Sequence, residues 1–584
     1  MRLDVVNTDA PDGLLKVRLV PDGAALTFGP QPEQFELAPG AKAVFEVPVT
    51  AQNVGDPEFD IILTMPDGRE LRQTLTLPVR MNDPVVASTR RFALGGGDTF
   101  DFTSDVFADM QPGTGSAIIS AGALARFDVP GILGTLERYP YGCSEQVTSK
   151  ALPLLYLSGI AGEIGLGDQK AIRARVDAAI AQLMTRQSSN GAFGLWQAGS
   201  GDFWLDSYIT DFLSRARAER FEVPDRAFRL AMDNLRNRIN YAPDFDSGGE
   251  DIAFALMVLA REGAASMGDL RYYADVKSTA FATPLAAAQL GAALAYYGDQ
   301  PRADAMFARA ARMLAVVDDG ALIWRADYGT ALRDTAGVLA LATRAGSDVV
   351  DPSALGALLV DDGAPLSTQE SAWSLLAAHA LVETPENSGL LVDGAPASSP
   401  FVKVLDSQTQ SSGLAISTVS HRSEDLTLTT FGVPSSPPPA GGTGYAIGRS
   451  YYNLDGVPID EQDLSVGDRF VIVLQVDPFE AFSARLIVND PLPAGIEIDN
   501  PALLRSGDVR ALDWLQPSEV EHAEFRSDRF LAAVDLRSAG TVTLAYGARA
   551  VSPGSFHRPA ASVEDMYRPR YRAHTDTGRV DIAE

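Results

Sequence analysis

Tyr139-Pro140-Tyr141-Gly142-Cys143-Ser144-Glu145-Gln146 carries the only cysteine of this 584-residue chain. A thiol and a carboxamide three residues apart, beside a glycine, are the two halves of an internal ring. If Cys143 displaces ammonia from the Gln146 side chain, the product is a thioester between Sγ of Cys143 and Cδ of Gln146. Such a bond is a stored electrophile, like an acyl-enzyme intermediate made in advance. The plain alternative is a lone cysteine serving as a small buried apolar side chain. A Cys-x-x-Gln spacing is weak by itself, so the surrounding chain has to decide.

Outward from the octapeptide, an alanine-rich, helix-patterned stretch runs from about 128 to 385. The pattern predicts helices over 147–161, 168–186, 204–220, 225–239, 250–262, 282–297, 301–315, 328–344, 353–361 and 368–382. They come as pairs with a period of roughly 45 to 50 residues, punctuated by Gly and Pro. Paired helices at a constant period cannot each bury a full face alone, so they stack or close into a ring. A closed α/α toroid is the expectation; an open solenoid is the alternative. Asn190-Gly191-Ala192-Phe193-Gly194-Leu195-Trp196 reads as a connecting loop with aromatic plugs, and Trp196, Trp204 and Trp373 as core.

Both flanks are strand-like. Leu14 to Val20 and Ala43 to Val49 alternate apolar and polar residues, as do Arg469 to Val476 and Thr541 to Tyr546. Ala415 to Val419 and Leu426 to Phe431 are shorter β runs. Ser435-Ser436-Pro437-Pro438-Pro439-Ala440-Gly441-Gly442 reads as a linker. The division is therefore a β-sandwich at 1–84, the helical domain at 128–385 and a second sandwich at 441–584. The pieces at 85–127 and 386–440 are each too short to be a sandwich, so they read as two halves of one domain around the helical insert. The fold class is multidomain β + α.

The net charge of −28 argues against nucleic acid or an anionic lipid surface as the main partner, since both need a basic footprint. One cysteine excludes an intrachain disulfide. No apolar run reaches the roughly 18 residues of a membrane span. The start, Met1-Arg2-Leu3-Asp4, has no apolar h-region. The expectation is a protein kept inside the cell, or a fragment whose upstream part lies outside this sequence. No metal-ligand cluster, phosphate loop or Ser-His-Asp triad stands out, and no cofactor is expected.

Tyr141-Gly142-Cys143-Ser144-Glu145-Gln146, read with its context, resembles the thioester motif of the α2-macroglobulin and complement superfamily. Asn190 to Trp196 followed by Trp204-Leu205-Asp206-Ser207-Tyr208-Ile209-Thr210-Asp211-Phe212-Leu213 is similar to the second and third helices of a thioester domain. Ser367-Thr368-Gln369-Glu370-Ser371-Ala372-Trp373 resembles its last helix pair. The order β, α insert, β matches a CUB-like domain split around an α/α-toroid thioester domain, with macroglobulin-like β-sandwiches at either end. The likeness is to the C-terminal third of bacterial α2-macroglobulins.

The chemistry explains the residue types. Sulfur donates poorly into the carbonyl, so the bond needs water kept away until it is used. Tyr139 and Tyr141 suit a shield, Gly142 a tight backbone before the helix, and Glu145 orientation of the turn. The helix start aims N–H groups at the carbonyl. The resemblance further implies that Met566 and Tyr567, in Val563-Glu564-Asp565-Met566-Tyr567, cover the bond. It also implies a single-use protease inhibitor rather than an enzyme: a bait region upstream is cut, and Gln146 is acylated onto lysine amines of the attacking protease. Some relatives pass the acyl group through a histidine. Here the histidines are His379, His421, His522, His557 and His574, none between 128 and 378, which predicts direct attack by amines. Bacterial relatives imply a periplasmic or extracellular place, anchored to the inner membrane through a region upstream of this sequence. Two other readings compete. One is a thioester-bearing surface adhesin. The other is a terpenoid-cyclase-like α/α-toroid enzyme, which would need an acidic motif in the ring; Asp318-Asp319-Gly320 and Asp361-Asp362-Gly363 read as turns.

Overall fold

A computed structural model describes residues 1–8, 13–32, 34–316, 325–359, 364–381, 389–397, 401–407, 413–419, 423–480, 482–499, 515–537 and 540–584. The two Asp-Asp-Gly stretches, His421 and the expected boundary at 385/386 lie outside these residues.

The amino-terminal region is a four-stranded antiparallel sheet in the order Phe35–Glu36, Leu14–Pro21, Glu58–Thr64 and Glu70–Thr76. Two strand pairs, Arg2–Val6 with Lys42–Glu46 and Leu26–Phe28 with Val49–Ala51, complete it. Leu15, Val17 and Leu19 point inward while Lys16 and Arg18 are exposed, as period-two alternation requires. The run expected over 43–49 is broken in two, because Pro48 has no N–H to give a ladder.

The short flanks of the helical region interleave. Ser116–Ala121 is inserted between Phe401–Asp406 and Glu424–Gly432, and Glu424–Gly432 pairs in turn with Val86–Leu94. Facing them, Thr99–Phe102 pairs with Leu414–Thr418. Phe102, Ile119, Ile416 and Leu426 lie in their shared core. Neither flank could cover its own apolar face, and closing the long insert between them costs only logarithmically in its length.

The helical region closes on itself. Ser144–Ala151, Phe203–Ala218, Glu250–Arg261, Pro284–Tyr296, Ala331–Arg344 and Thr368–Leu381 form an inner ring in which each touches the next and the last returns to the first. Eleven of the thirteen residues of Pro284–Tyr296 are buried, which only a helix surrounded by others can satisfy. Small residues let the ring tighten: a Cβ on Gly337 would come within 2.5 Å of Leu285. The outer helices bury one face. In Asp225–Asn240 these are Phe228, Ala231, Met232 and Leu235, at helical spacing. The toroid is the expected α/α ring rather than the open solenoid.

Local differences have local causes. The helix expected over 147–161 is Ser144–Ala151, a 3₁₀ turn at Pro153–Leu155 and Ser158–Glu163, because Pro153 cannot continue the α-helical ladder. Val129–Arg138 and Met267–Asp275 are helices that the pattern missed. The first opens on Val129-Pro130-Gly131, and the second is short and starts on a Ser266 cap. The linker ends at Ala440, since Gly441–Thr443 pairs with Arg572–His574. A Cβ on Gly442 would lie 2.3 Å from the Tyr445 carbonyl oxygen, so that strand needs glycine.

The carboxy-terminal region packs a six-stranded sheet containing Ala484–Pro491 and Ser562–Asp565 against a four-stranded sheet centred on Arg469–Pro478 and Val542–Ala550. The turn after Ser562–Asp565 enters the core of the toroid. Met566 and Tyr567 share one buried cluster with Cys143, Trp204, Tyr328 and Trp373.

Candidate functional site

Cys143 is the N-cap of helix Ser144–Ala151 and Gln146 is its third residue. N-cap and N3 side chains lie side by side because each can satisfy a backbone N–H that the helix start leaves open. Here the Cys143 N–H donates to Oε1 of Gln146 at 2.9 Å, while the Gln146 N–H points at the Cys143 sulfur. This is a capping box with sulfur in place of a hydroxyl. Ser/Thr-x-x-Glu/Gln is a familiar helix-start signal, and reading Cys-x-x-Gln as its sulfur analogue would have located the helix start that the sequence reading put at 147.

The loop before the helix is braced from behind. Arg186 donates to the Gly142 carbonyl at 2.7 Å and to Ser144 Oγ at 3.3 Å. Ser144 N–H donates to the Leu195 carbonyl at 2.7 Å and its hydroxyl to the Gly194 carbonyl at 2.6 Å. Asn190 to Trp196 therefore carries the backbone of the site. Gly194 is needed there, since a Cβ would meet the Gln197 carbonyl at 1.9 Å. Gly142 has a different use from the one expected. Its φ is not left-handed, and a Cβ would find its nearest neighbour at 3.9 Å. Its carbonyl, held by Arg186, is the feature that matters.

Glu145 is fully buried and accepts from Thr368 Oγ1 at 3.0 and 2.9 Å, Gln369 Nε2 at 2.7 Å and Ser149 Oγ at 2.5 Å. Burial raises its pKa, and these hydrogen bonds oppose the rise. It ties the first inner helix to the last. Tyr139 and Tyr141 pack edge to face at 5.2 Å on the other side of the loop, half-buried.

Cys143 and Gln146 have no exposed surface. Gln146 Nε2 donates to Met566 Sδ at 3.4 Å, and the Tyr567 hydroxyl lies 3.9 Å from Cys143 Sγ. Met566 and Tyr567 thus reach the pair from a separate domain, 420 and 424 residues along the chain. Burial, and then the neighbouring Glu145 charge, push the Cys143 thiol up to about 12. The thiol is neutral at pH 7. The Cys143 N–H sits where negative charge would collect on Oε1 if sulfur attacked Cδ, so the cap is also an oxyanion donor.

Three of the described histidines have partners of their own. His379 stacks on Tyr156 at 4.9 Å, and ten residues of helix separate it from Gln369, or about 15 Å. His522 stacks on Trp196 at 4.6 Å, and His557 pairs with Asp83 at 2.8 Å. Among the described residues, no group of three His, Cys, Asp or Glu could hold a metal ion, and no helix is long and apolar enough to cross a membrane. The sequence reading missed Tyr328, Asp202 and Arg485, which pack behind Tyr567; nothing in their local sequence marks them.

Residues 444–570 match the bacterial alpha-2-macroglobulin MG10 domain family. The whole chain is similar to the alpha-2-macroglobulin of Escherichia coli K12, 31% identical over 98% of this chain and 36% of that protein. The crystal structure of native E. coli alpha-2-macroglobulin from domain MG7 to the C-terminus covers 100% of this chain and 96% of its own, with a TM-score of 0.86 and 28% identity. This chain belongs to the bacterial α2-macroglobulin family. It spans about a third of the length of the curated family members it matches. Salmonella alpha-2-macroglobulin reacted with methylamine is also similar, with a TM-score of 0.87 and 29% identity over 100% of this chain and 39% of that one.

Proposed function

We propose that Cys143 and Gln146 are joined in a thioester and that the protein is a single-use covalent trap for proteases. The carrying observation is the capping-box contact of the two side chains, with no exposed surface, beneath Met566 and Tyr567 of another domain. In formation, Sγ attacks Cδ of Gln146, the proton passes to the departing nitrogen, and ammonia leaves. In use, a lysine amine of the protease attacks Cδ, an amide forms, and Cys143 leaves as a thiol that takes up the amine proton. The inhibitor is consumed and does not turn over.

Burial then has two effects. It excludes water. It also holds the thiol pKa high, and a high-pKa thiol is a poor leaving group. Lifting Tyr567 away lets in water and lowers that pKa, so the bond becomes reactive as it is uncovered. The trigger in this reading is cleavage of a bait region among upstream macroglobulin domains. The interleaved sheets around 86–121 and 390–432 act as the CUB-like hinge, in a periplasmic or extracellular protein held at the inner membrane by its upstream part. The distance of His379 from the pair supports direct transfer to amines. The Glu145 carboxylate is taken up by Thr368, Gln369 and Ser149, which argues against its use as a terpenoid-cyclase acid.

Intact mass tests the reading. The untreated protein should weigh about 17 Da less than its sequence, from lost ammonia, and methylamine should add to Gln146 while freeing one thiol. A full sequence mass with a titratable Cys143 in the native fold would sink it.

A further inference from the structure

We propose that Arg485 of the carboxy-terminal domain is the positioning residue that holds Tyr567 over the site, acting through Asp202 and Tyr328 of the toroid. The inference rests on the thioester reading and concerns how that bond is kept covered.

Arg485 lies on strand Ala484–Pro491, next to the turn that carries the cover: its carbonyl accepts the Met566 N–H at 2.9 Å. Its side chain, 15% exposed, crosses into the toroid. The guanidinium lies 4.1 Å from the ring centre of Tyr328 and 5.9 Å from that of Tyr567, and Nη2 is 3.7 Å from Asp202 Oδ2. The Tyr328 hydroxyl donates to the same Asp202 oxygen. The two tyrosine rings meet edge to face at 4.7 Å. One cation therefore touches both aromatic rings and the carboxylate that anchors one of them.

The toroid side is prepared for this contact. Asp202 caps helix Phe203–Ala218 through the Leu205 N–H at 2.9 Å, so it cannot move freely. Tyr328 has φ 56°, a left-handed conformation that a bulky residue adopts only when its surroundings impose it. Arg333 imposes it, donating to the Asp327 carbonyl at 2.9 Å and to Asp327 Oδ2 at 2.7 Å, with Asp334 on its other side. Gly329 clears the way, since a Cβ there would lie 1.9 Å from Arg333. Strain of this kind marks a position held for a purpose.

A half-dry ion pair suits a latch better than an apolar plug. Its attraction is strong only while water is excluded, and both charges recover hydration once the domains part. Docked, it defines one orientation of Tyr567; opened, it offers little resistance.

The test uses the full-length protein and the rate of methylamine uptake before any proteolysis, read by intact mass. Arg485→Met, which keeps the stem and drops the charge, should raise the rate about tenfold. Arg485→Lys should fall between, because the cation is kept and the planar fork is lost. Asp202→Asn should also raise it, and the double variant Arg485→Met/Asp202→Asn should be no faster than Arg485→Met alone. Tyr328→Phe, with both rings kept, should give a smaller rise. Unchanged rates in Arg485→Met and Asp202→Asn, or effects that multiply, would overturn the proposal. If Arg485→Met does not accumulate, Arg485→Lys and Asp202→Asn decide it in the same way. A wild-type protein without the ammonia deficit would defeat the thioester reading itself; a deficit with unmoved rates would defeat only the part assigned to Arg485.

Discussion

On the helical side of the Cys143–Gln146 pair, the Glu145 carboxylate and the loop carbonyl are held mainly from within the toroid. Glu145 takes hydrogen bonds from Thr368, Gln369 and Ser149, and Arg186 fixes the loop carbonyl. On the opposite side, Met566 and Tyr567 make a thioether contact at 3.4 Å and a loose hydroxyl contact at 3.9 Å. The first wall is built of interlocked hydrogen bonds inside one domain, the second of an apolar turn from another. In the thioester reading the difference is a division of labour: the toroid would align the two groups, and the carboxy-terminal domain would keep water from them. That reading makes the first wall permanent and the second removable.

The largest expected effect comes from removing the bond. Cys143→Ala should restore the full sequence mass and abolish methylamine uptake; any surviving uptake at Gln146 would mean that the pair is not the reactive centre. Next is the removable wall. Tyr567→Ala keeps the Thr368, Gln369 and Ser149 bonds to Glu145 and opens a path to water, so hydrolysis and methylamine uptake in the uncleaved protein should rise by about a hundredfold, a barrier change of about 3 kcal/mol. If the rate stays flat, the cover is not the carboxy-terminal turn and the comparison breaks.

The permanent wall should answer differently. Glu145→Gln turns one acceptor into a donor facing Thr368, Gln369 and Ser149. It should cost about 1–3 kcal/mol of stability, read by denaturant unfolding. Uptake of methylamine by the folded fraction should change little, and a rise comparable to that of Tyr567→Ala would erase the distinction between the two walls.

The smallest effect is a pH dependence at the seam. Glu564, on the strand before the cover, is pushed up to about 7 by burial, against an ordinary 4.5, with Arg572 opposing. The folded state keeps this proton to about pH 7 while the unfolded chain releases it near 4.5. The fold therefore binds more protons between these values, and stability falls as pH rises through that window. Glu564→Gln should flatten this slope and raise stability at pH 8, by less than the Glu145→Gln cost because Glu564 keeps part of its surface in water. A variant with the wild-type slope would assign the dependence to other buried acids, such as Asp206, which burial pushes up to about 6.

Local pattern carried a good deal. The helix-pair period foretold stacked helix pairs, in a ring or a solenoid, and alternation placed strands such as Leu14–Pro21 and Arg469–Pro478. The Cys-x-x-Gln spacing singled out both residues of the candidate pair, but the helix start on which they are N-cap and N3 was read three residues late. Errors fell where one residue overrode the average, as at Pro48 and Pro153. The reason offered for Gly142 failed for another cause: the constraint was not steric at that residue but a hydrogen bond from Arg186, in the turn after helix Gln169–Met184, and no local pattern reports a distant donor.

What the sequence by itself determined is what short range dictates: the chemistry of a thiol beside a carboxamide, the element types, and an insert too regular to be a loop. Only the tertiary structure decided that the insert closes into a ring, that strands separated by the whole insert pair with one another, and that Tyr328, Asp202 and Arg485 converge on Tyr567. The physical reason is that amphipathic pattern says which faces must be buried but not against what. Partners hundreds of residues apart are chosen by the packing of the assembled core, where the entropy of closing a long loop is small beside the surface it hides.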